Sequence, residues 1–476
     1  MGIAELRMVV SWLDHGDQVF FSLVILIMPS FVDLTKHSVM VVLRMTWDYD
    51  DYKLIIAVIF RKWRILSMER PEKIEILRQL VKIQSVNGNE LAVAEYLKKV
   101  FDRAQIKAQV LPVGHDRANL VAEIGSGSPV LAVSGHMDTV AVERADWNQD
   151  PFTLTTVGDQ LIGRGSCDMK SGLAALVIAM IELKEQQVPL NGTIRLLATY
   201  GEEFAEQGAA DLTTAGYMQD VTALMIAEPT GYNICYAQAG SVDITLTSKG
   251  QTAHSSMPKM GNNAVAHLVN ALVQIQENVK KLTAGIKNDV LNTETLFNID
   301  VFHGGNQVNT IPNLAKAQIS MRTIPEVSND ALIKTFETTL AQFNVAHGSE
   351  ISLKVEMSVQ PVVGDPDGRM LKLIQRLGQP YLAQTKFTPA ELKITELAAK
   401  SMGMTITNQT IPAVGAAGGT DARQFLIDQP AGADYTVFGP GNFTSHQANE
   451  SISASMYLDF IKLYEELFPA YLNGEG

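Results

Sequence analysis

The sequence predicts an α/β protein that carries a second, inserted α+β module. Three observations lead there. Apolar, β-branched runs alternate with helical stretches from Met68 onward; that alternation breaks after Gly240 and resumes near Gly364; and carboxylates and histidines fall directly after several of the apolar runs. Val130-Leu-Ala-Val-Ser134, Ile194-Arg-Leu-Leu-Ala198 and Ala223-Leu-Met-Ile226 read as strands buried on both faces, as a parallel sheet requires. Open α/β sheets bind ligands beyond the carboxyl ends of such strands, which is where the polar groups lie here.

Taken in order, the first 67 residues do not share this grammar. The apolar stretch Val19–Val32 is short of the ~18–20 residues that span a bilayer and is interrupted by Pro29. Asp14 and Asp17 stand where a secretory signal carries positive charge. A second apolar patch, Leu54–Phe60, runs into the basic Arg61-Lys-Trp-Arg64. Met68-Glu-Arg-Pro then opens an amphipathic helix, so Met68 is the expected start of the folded protein and residues 1–67 an upstream extension, with a membrane anchor as the alternative. Apolar residues at helical spacing over Leu91–Phe101 predict a helix, and Ala108–Val113 a strand. A long helix is expected over Ser171–Lys184, with Asp168 placed to open it, since Asp favours helix starts.

After Gly240, Val242–Ser248 alternates as a half-buried strand and Ala264–Val279 reads as a helix. Leu296–Phe302 and Ala315–Met321 follow as strands, Asp330–Phe343 as a helix and Ile351–Met357 as a strand. That β-α-β-β-α-β order is ferredoxin-like. The expected division is therefore 1–67 as extension, 68–240 and 361–476 as the two parts of the main domain, and 241–360 as the insert. A last helix is expected over Ser455–Leu467.

Composition narrows the function. A net charge of −13 with no basic stripe argues against nucleic acid as a partner, because phosphates would go unneutralised. The two cysteines, Cys167 and Cys235, are too far apart in sequence to suggest a zinc knuckle; Cys167 reads as a small buried filler, and the pair fits a reducing, cytoplasmic setting.

Five segments carry the chemistry: Ser134-Gly-His136-Met-Asp138, Gly163–Lys170 with Asp168, Gly201-Glu202-Glu203, Ala227-Glu228-Pro229 and Ser445-His446. Any one of these acids is more simply a solvated loop residue or a cap. Together, imidazoles and carboxylates at successive strand ends are a donor set for divalent ions.

These motifs, from about Met68 to the C-terminus, resemble the metal-dependent amidohydrolase and exopeptidase family of succinyl-diaminopimelate desuccinylase, acetylornithine deacetylase, aminoacylase and carboxypeptidase G. The resemblance implies a zinc-exopeptidase-like catalytic domain with a ferredoxin-like lid through which two subunits pair. It implies two divalent ions, zinc first and cobalt next, with Asp168 bridging both, His136 and Glu228 on one, and Glu203 and His446 on the other. Asp138 then orients His136, a usual carboxylate–imidazole arrangement. Glu202 is the general base. His254, in Thr252–Pro258, matches a histidine that reaches a partner's site and stabilises the oxyanion. Asn309, Arg322 and the loop Gly418–Arg423, with Gly419, Thr420 and Arg423, match substrate-positioning residues. The implied substrate is a small N-acyl amino acid, N-succinyl-LL-2,6-diaminopimelate first, then acetylornithine, then a dipeptide or another N-acyl amino acid. Met257 stands where desuccinylases often carry an aromatic residue. A non-catalytic binding protein of the same fold is the rival, and it would be expected to have lost Glu202 or a ligand.

Overall fold

The computed structural model describes residues 68–387, 393, 410–429 and 431–475, and four strands before Met68. The chain divides into two units, Met1–Met68 and Glu69–Gly476. In the first, strands β1 (Leu6–His15), β2 (Gln18–Ile27), β3 (Ser38–Asp48) and β4 (Leu54–Trp63) pair antiparallel in sequential order. Residues 28–32 of the apolar run, with Pro29, and the basic Arg64 lie outside the described residues. Among the described residues, no helix is long and apolar enough to cross a membrane.

The second unit opens with helices α1 (Arg70–Lys82) and α2 (Glu90–Arg103). Pro71 lies in the first turn of α1, where its missing N–H costs nothing, and Glu69 and Glu72 form a reciprocal capping box. Strands β5 (Ala108–Val113), β6 (Arg117–Gly125) and β7 (Val130–His136) follow. After the short hairpin β8 (Thr155–Val157) and β9 (Gln160–Ile162) come helix α3 (Lys170–Glu185), β10 (Thr193–Thr199), α4 (Gln207–Thr214), β11 (Val221–Ile226) and β12 (Ile234–Gln238).

The main sheet has the order β19-β12-β21-β11-β7-β10-β6-β5, with β20 (Ala413–Ala416) paired to β12; β19 is Val362–Val363 and β21 Tyr435–Val437. Its centre is parallel: β7 runs alongside β10 and β11, and β11 alongside β21. Every residue of β7 is buried, which explains its unbroken small and apolar run. Helix α3 is apolar nearly all round because it is covered both by the sheet and by the final helix, Ala454–Leu472. Between those helices, Lys73 lies 2.9 Å from Glu182 and 3.9 Å from Glu465.

Asp168 does not cap α3. The helix begins at Lys170, the residue before it is Met169, and no side chain caps it, because the Asp168 carboxylate faces two imidazoles instead.

The segment from Gly240 to Val359 builds its own sheet. Strands β13 (Gly240–Lys249), β15 (Leu296–Gly304), β17 (Leu314–Thr323) and β18 (Glu350–Val359) take the order β15-β17-β13-β18, all antiparallel. With helices α5 (Ala264–Leu282) and α6 (Asn329–His347) this is the ferredoxin-like topology that the element order predicts. Leu246, Leu268, Ile319 and Phe336 centre its separate core. A two-stranded ladder of β14 (Ala253–His254) and β16 (Thr310–Ile311) projects from it. Chain then returns through α7 (Arg369–Gln384). Near the C-terminus β22 (Ser451–Ser453) joins the β8–β9 hairpin.

Candidate metal centre

Parallel register sets the frame. His136 ends β7 opposite Thr199 of β10, and Ser134 pairs with Ile226 of β11, so the loops after all three strands leave from one edge. Each loop carries an acid within its first three residues, Asp138, Glu202 and Glu228 respectively.

Five side chains, from the ends of these strands, the turn before α3 and the C-terminal segment, converge in two groups, His136–Asp168–Glu228 and Asp168–Glu203–His446, each with donor atoms within 4.8 Å of one another. His136 Nε2 lies 3.1 Å from Asp168 Oδ1 and 3.6 Å from Glu228 Oε1. On the other side, His446 Nε2 lies 3.4 Å from Asp168 Oδ2 and 3.0 Å from Glu203. Asp168 thus offers one oxygen to each group. Glu202 belongs to neither, yet its Oε2 is 3.9 Å from His136 Nε2.

Asp138 sits behind this array. Its Oδ1 accepts the Glu202 N–H at 3.2 Å and its Oδ2 the Glu203 N–H at 3.1 Å, which fixes the two adjacent glutamates. His136 Nδ1 is nearer to the Asp138 carbonyl, at 3.0 Å, than to Asp138 Oδ1, at 3.5 Å, so main chain and side chain of one residue share the imidazole.

Two glycines make room. Gly201, before the glutamates, has φ +67°, and a Cβ there would stand 2.8 Å from the Arg117 guanidinium. Arg117 is held by Glu90 through contacts of 2.6 and 3.1 Å and stacks over Tyr200. Gly172, in the first turn of α3, lets the helix approach Ala227; a Cβ would be 1.9 Å from the Ala227 carbonyl oxygen. Glu228 is therefore presented by a strand end pressed against a helix.

The electrostatics show a surplus of negative charge. Burial pushes the carboxyls of Glu202 and Glu228 well above the usual range, and neighbouring acids add to it. Burial pushes Asp421 up to about 7, against the pull of the Thr199 hydroxyl it accepts at 2.5 Å. Burial disfavours charge on His136, but Glu228, Asp138 and Asp168 outweigh it and raise its affinity for a proton. Divalent cations neutralise such a cluster, and hard carboxylate plus imidazole donors suit zinc-type ions. The donor set fits a metal.

The other expected residues lie elsewhere. His254 is exposed on β14, its Nδ1 2.8 Å from Ser256 Oγ. Asn309 is exposed and accepts from Gln307 at 2.6 Å. Arg322, half-buried on β17, donates to the Ser241 hydroxyl. Thr420 is buried and donates to Gln238 Oε1 at 3.1 Å. Arg423 is buried against Glu206, whose carboxylate takes its Nε at 2.9 Å and its Nη2. Gly419 lies over that guanidinium, where a Cβ would collide with Arg423.

Sequence reasoning missed Arg117, Glu90, Asp421, Glu206, Arg164 and Glu450. Arg164 and Glu450 were within reach of inspection, since each lies four residues from a ligand candidate, Asp168 and His446. Glu206, three residues from Glu203, and Asp421, inside the Gly418–Arg423 loop, were equally close, whereas Arg117 and Glu90 lie outside every motif.

This site, on this fold, defines a metal-dependent hydrolase. Residues 132–469 match the model of peptidase family M20/M25/M40. A probable succinyl-diaminopimelate desuccinylase of Staphylococcus aureus (strain MRSA252) is 37% identical over 429 residues, 85% of this chain and 99% of that protein. Among solved structures, a tripeptidase of Staphylococcus aureus subsp. aureus Mu50 superposes with a TM-score of 0.65 at 20% identity, over 85% of this chain and 99% of that one. An M20 family metallo-carboxypeptidase of Sulfolobus solfataricus gives 0.65 at 19%, over 85% and 100%. The chain belongs to peptidase family M20/M25/M40 and is a metal-dependent amidohydrolase.

Proposed function

We propose that the protein removes the succinyl group from N-succinyl-LL-2,6-diaminopimelate, giving succinate and LL-2,6-diaminopimelate, in the cytoplasm. The observation that carries the chemistry is Glu202, a largely buried carboxylate 3.9 Å from His136 of one donor group and a member of neither group. The substrate choice is supported by the relative of 37% identity, which spans nearly its whole length here.

His136, Asp168 and Glu228 would hold one ion and Asp168, Glu203 and His446 the other, zinc first and cobalt as a substitute. Such a pair supplies, when bound, polarisation of the scissile carbonyl and a more acidic water. Glu202 takes the proton from the attacking water as its oxygen bonds to the carbonyl carbon. It then delivers that proton to the amide nitrogen as the C–N bond breaks, and the second proton of the water passes from the new carboxylic acid to the amine, giving carboxylate and ammonium. Asp138 keeps Glu202 and Glu203 diverging by binding both their N–H groups.

Residues 68–240 and 361–476 form the catalytic domain and 241–360 a lid, with 1–67 outside the functional protein. His254 donates to the tetrahedral oxyanion of a partner subunit, which accords with its exposure. Asn309 and Arg322 bind the substrate's polar ends, Arg322 suiting a carboxylate. Gly419, Thr420 and Arg423 shape the facing loop. A homodimer through the lid is supported by the exposed Val269 and Val273 of α5 and Leu296, Ile299 and Phe302 of β15.

The test is amine release from N-succinyl-LL-2,6-diaminopimelate, N-acetylornithine and dipeptides, with zinc or cobalt added to stripped protein. The succinyl substrate should give the highest kcat/KM. A higher value for N-acetylornithine or a dipeptide would overturn the assignment.

A further inference from the structure

One buried carboxylate knits together two segments that are remote in sequence. Glu450 directly precedes β22 and Gly163 directly follows β9, so the Ser451–Ile162 pairing delivers Glu450 into the turn Gly163–Asp168. Its side chain is fully buried and takes four donors. The N–H groups of Cys167 and Asp168 reach Oε1 at 2.8 Å, and the Gly165 N–H reaches Oε2 at 3.1 Å. Arg164 Nη1 meets Oε2 at 2.5 Å. The Glu450 carbonyl accepts from the Gly163 N–H at 2.9 Å and the Ser166 hydroxyl at 3.2 Å. The whole turn is wrapped around one residue.

Arg164 extends the network to the other ligand segment. It is buried over the Trp147 ring, and its Nη2 donates to the carbonyls of His446, at 3.3 Å, and Ala141, at 3.4 Å. Asn442 and Thr444 tie the loop to Ser451, while His446 itself, with φ +64° and a half-exposed side chain, is reached at its carbonyl by Arg164. His136 and Glu228 differ, because His136 ends β7 and Glu228 follows the end of β11 by two residues. The strap therefore serves the group that contains His446 more than the group that contains Glu228.

We propose that the Glu450–Arg164 pair is a positioning device that sets the distance between Asp168 and His446, and so tunes metal affinity at the Asp168–Glu203–His446 site more than at the His136–Asp168–Glu228 site, which shares only Asp168. This rests on the two-ion reading above. The pair touches neither ion position; it acts through the backbone N–H of Asp168 and the carbonyl of His446. Partners one step behind a ligand typically control metal affinity by ~10–100-fold.

The experiment is titration of the metal-stripped full chain with Co²⁺ followed by absorbance, and with Zn²⁺ by equilibrium dialysis. Wild type should bind two ions per chain in two steps, and His446→Ala identifies which step belongs to the strapped site. Arg164→Lys keeps the charge beside Glu450 but loses the fork that reaches His446. It should weaken that step by ~10–100-fold and the other by less than about threefold. Glu450→Gln, which also loosens the shared Asp168, should weaken the strapped step at least as much and the other step by less than that, and if it fails to fold, Arg164→Lys decides. Leu268→Ala, in the core of the β-α-β-β-α-β module, should lower stability and leave both steps unchanged. Equal weakening of both steps, or an unchanged strapped step in folded Arg164→Lys, overturns the proposal alone. A wild-type chain that binds one ion overturns the two-ion reading and this proposal with it.

Discussion

Glu202 is the residue whose loss separates binding from turnover. Glu202→Gln should lower kcat by ~10²–10⁴-fold while metal content, measured by elemental analysis, stays at the wild-type level. Retained activity in a metal-replete variant would remove Glu202 from the mechanism. His254→Ala should lower kcat by roughly 10²–10³-fold, again with metal unchanged, because an oxyanion donor is lost and no ligand is. A missing ion would show that His254 is a ligand. Titration at single residues also reaches stability. Burial pushes Glu465 up to about 7, the nearby Glu182 adds to this, and Lys73 opposes it. The native state thus holds this proton more tightly than the unfolded chain. The resulting stability is present below the ordinary glutamate range and is lost as pH rises through about 7. Glu465→Gln should match wild type near pH 5 and exceed it at pH 8 by about 1–2 kcal/mol, a figure reduced for the solvent contact the carboxylate keeps. Urea melts at the two pH values check this; a variant no more stable at pH 8 would contradict it.

At the scale of elements, the approach of α3 to β11 is the tightest joint near the site. Gly172→Ala would drive a methyl against the Ala227 carbonyl, and the helix or the Glu228 loop must shift. We expect a loss of about 1–3 kcal/mol in urea denaturation together with weaker metal binding. Unchanged stability would show that the joint yields freely. The same joint marks the limit of what sequence alone reveals. The strands β7, β10 and β11 were legible because their apolar runs are continuous, and the ferredoxin-like order because periodicity switches cleanly after Gly240. The ligand candidates were legible because each directly follows a strand or shares a motif. What escaped was pairing across hundreds of residues: nothing near Glu450 points to Arg164, and nothing near Arg423 points to Glu206. Asp168 invited a capping role beside its ligand role because an acid before an apolar helix matches a helix start; the helix has no side-chain cap, and two imidazoles from distant segments face the carboxylate.

For the whole molecule, residues from Glu69 onward form a unit with their own sheets and cores. A chain beginning at Met68 is therefore expected to be soluble and active, with a melting temperature within about 3 °C of the full chain, a difference of roughly 1 kcal/mol. Differential scanning calorimetry with intact-mass measurement of the native product checks it; an insoluble shortened chain would assign residues 1–67 a part in folding. The order of the main sheet carries one more consequence. Strand β21, from almost the end of the chain, sits in the interior between β11 and β12. During synthesis those two neighbours must wait, each with an open hydrogen-bonding edge, until Tyr435–Val437 arrives. A product that stops short of Tyr435 would keep that gap at its centre, an apolar slot inviting a foreign strand. Premature termination should therefore yield aggregates or protease substrates and no partly working enzyme, so the cell gains nothing from an incomplete copy.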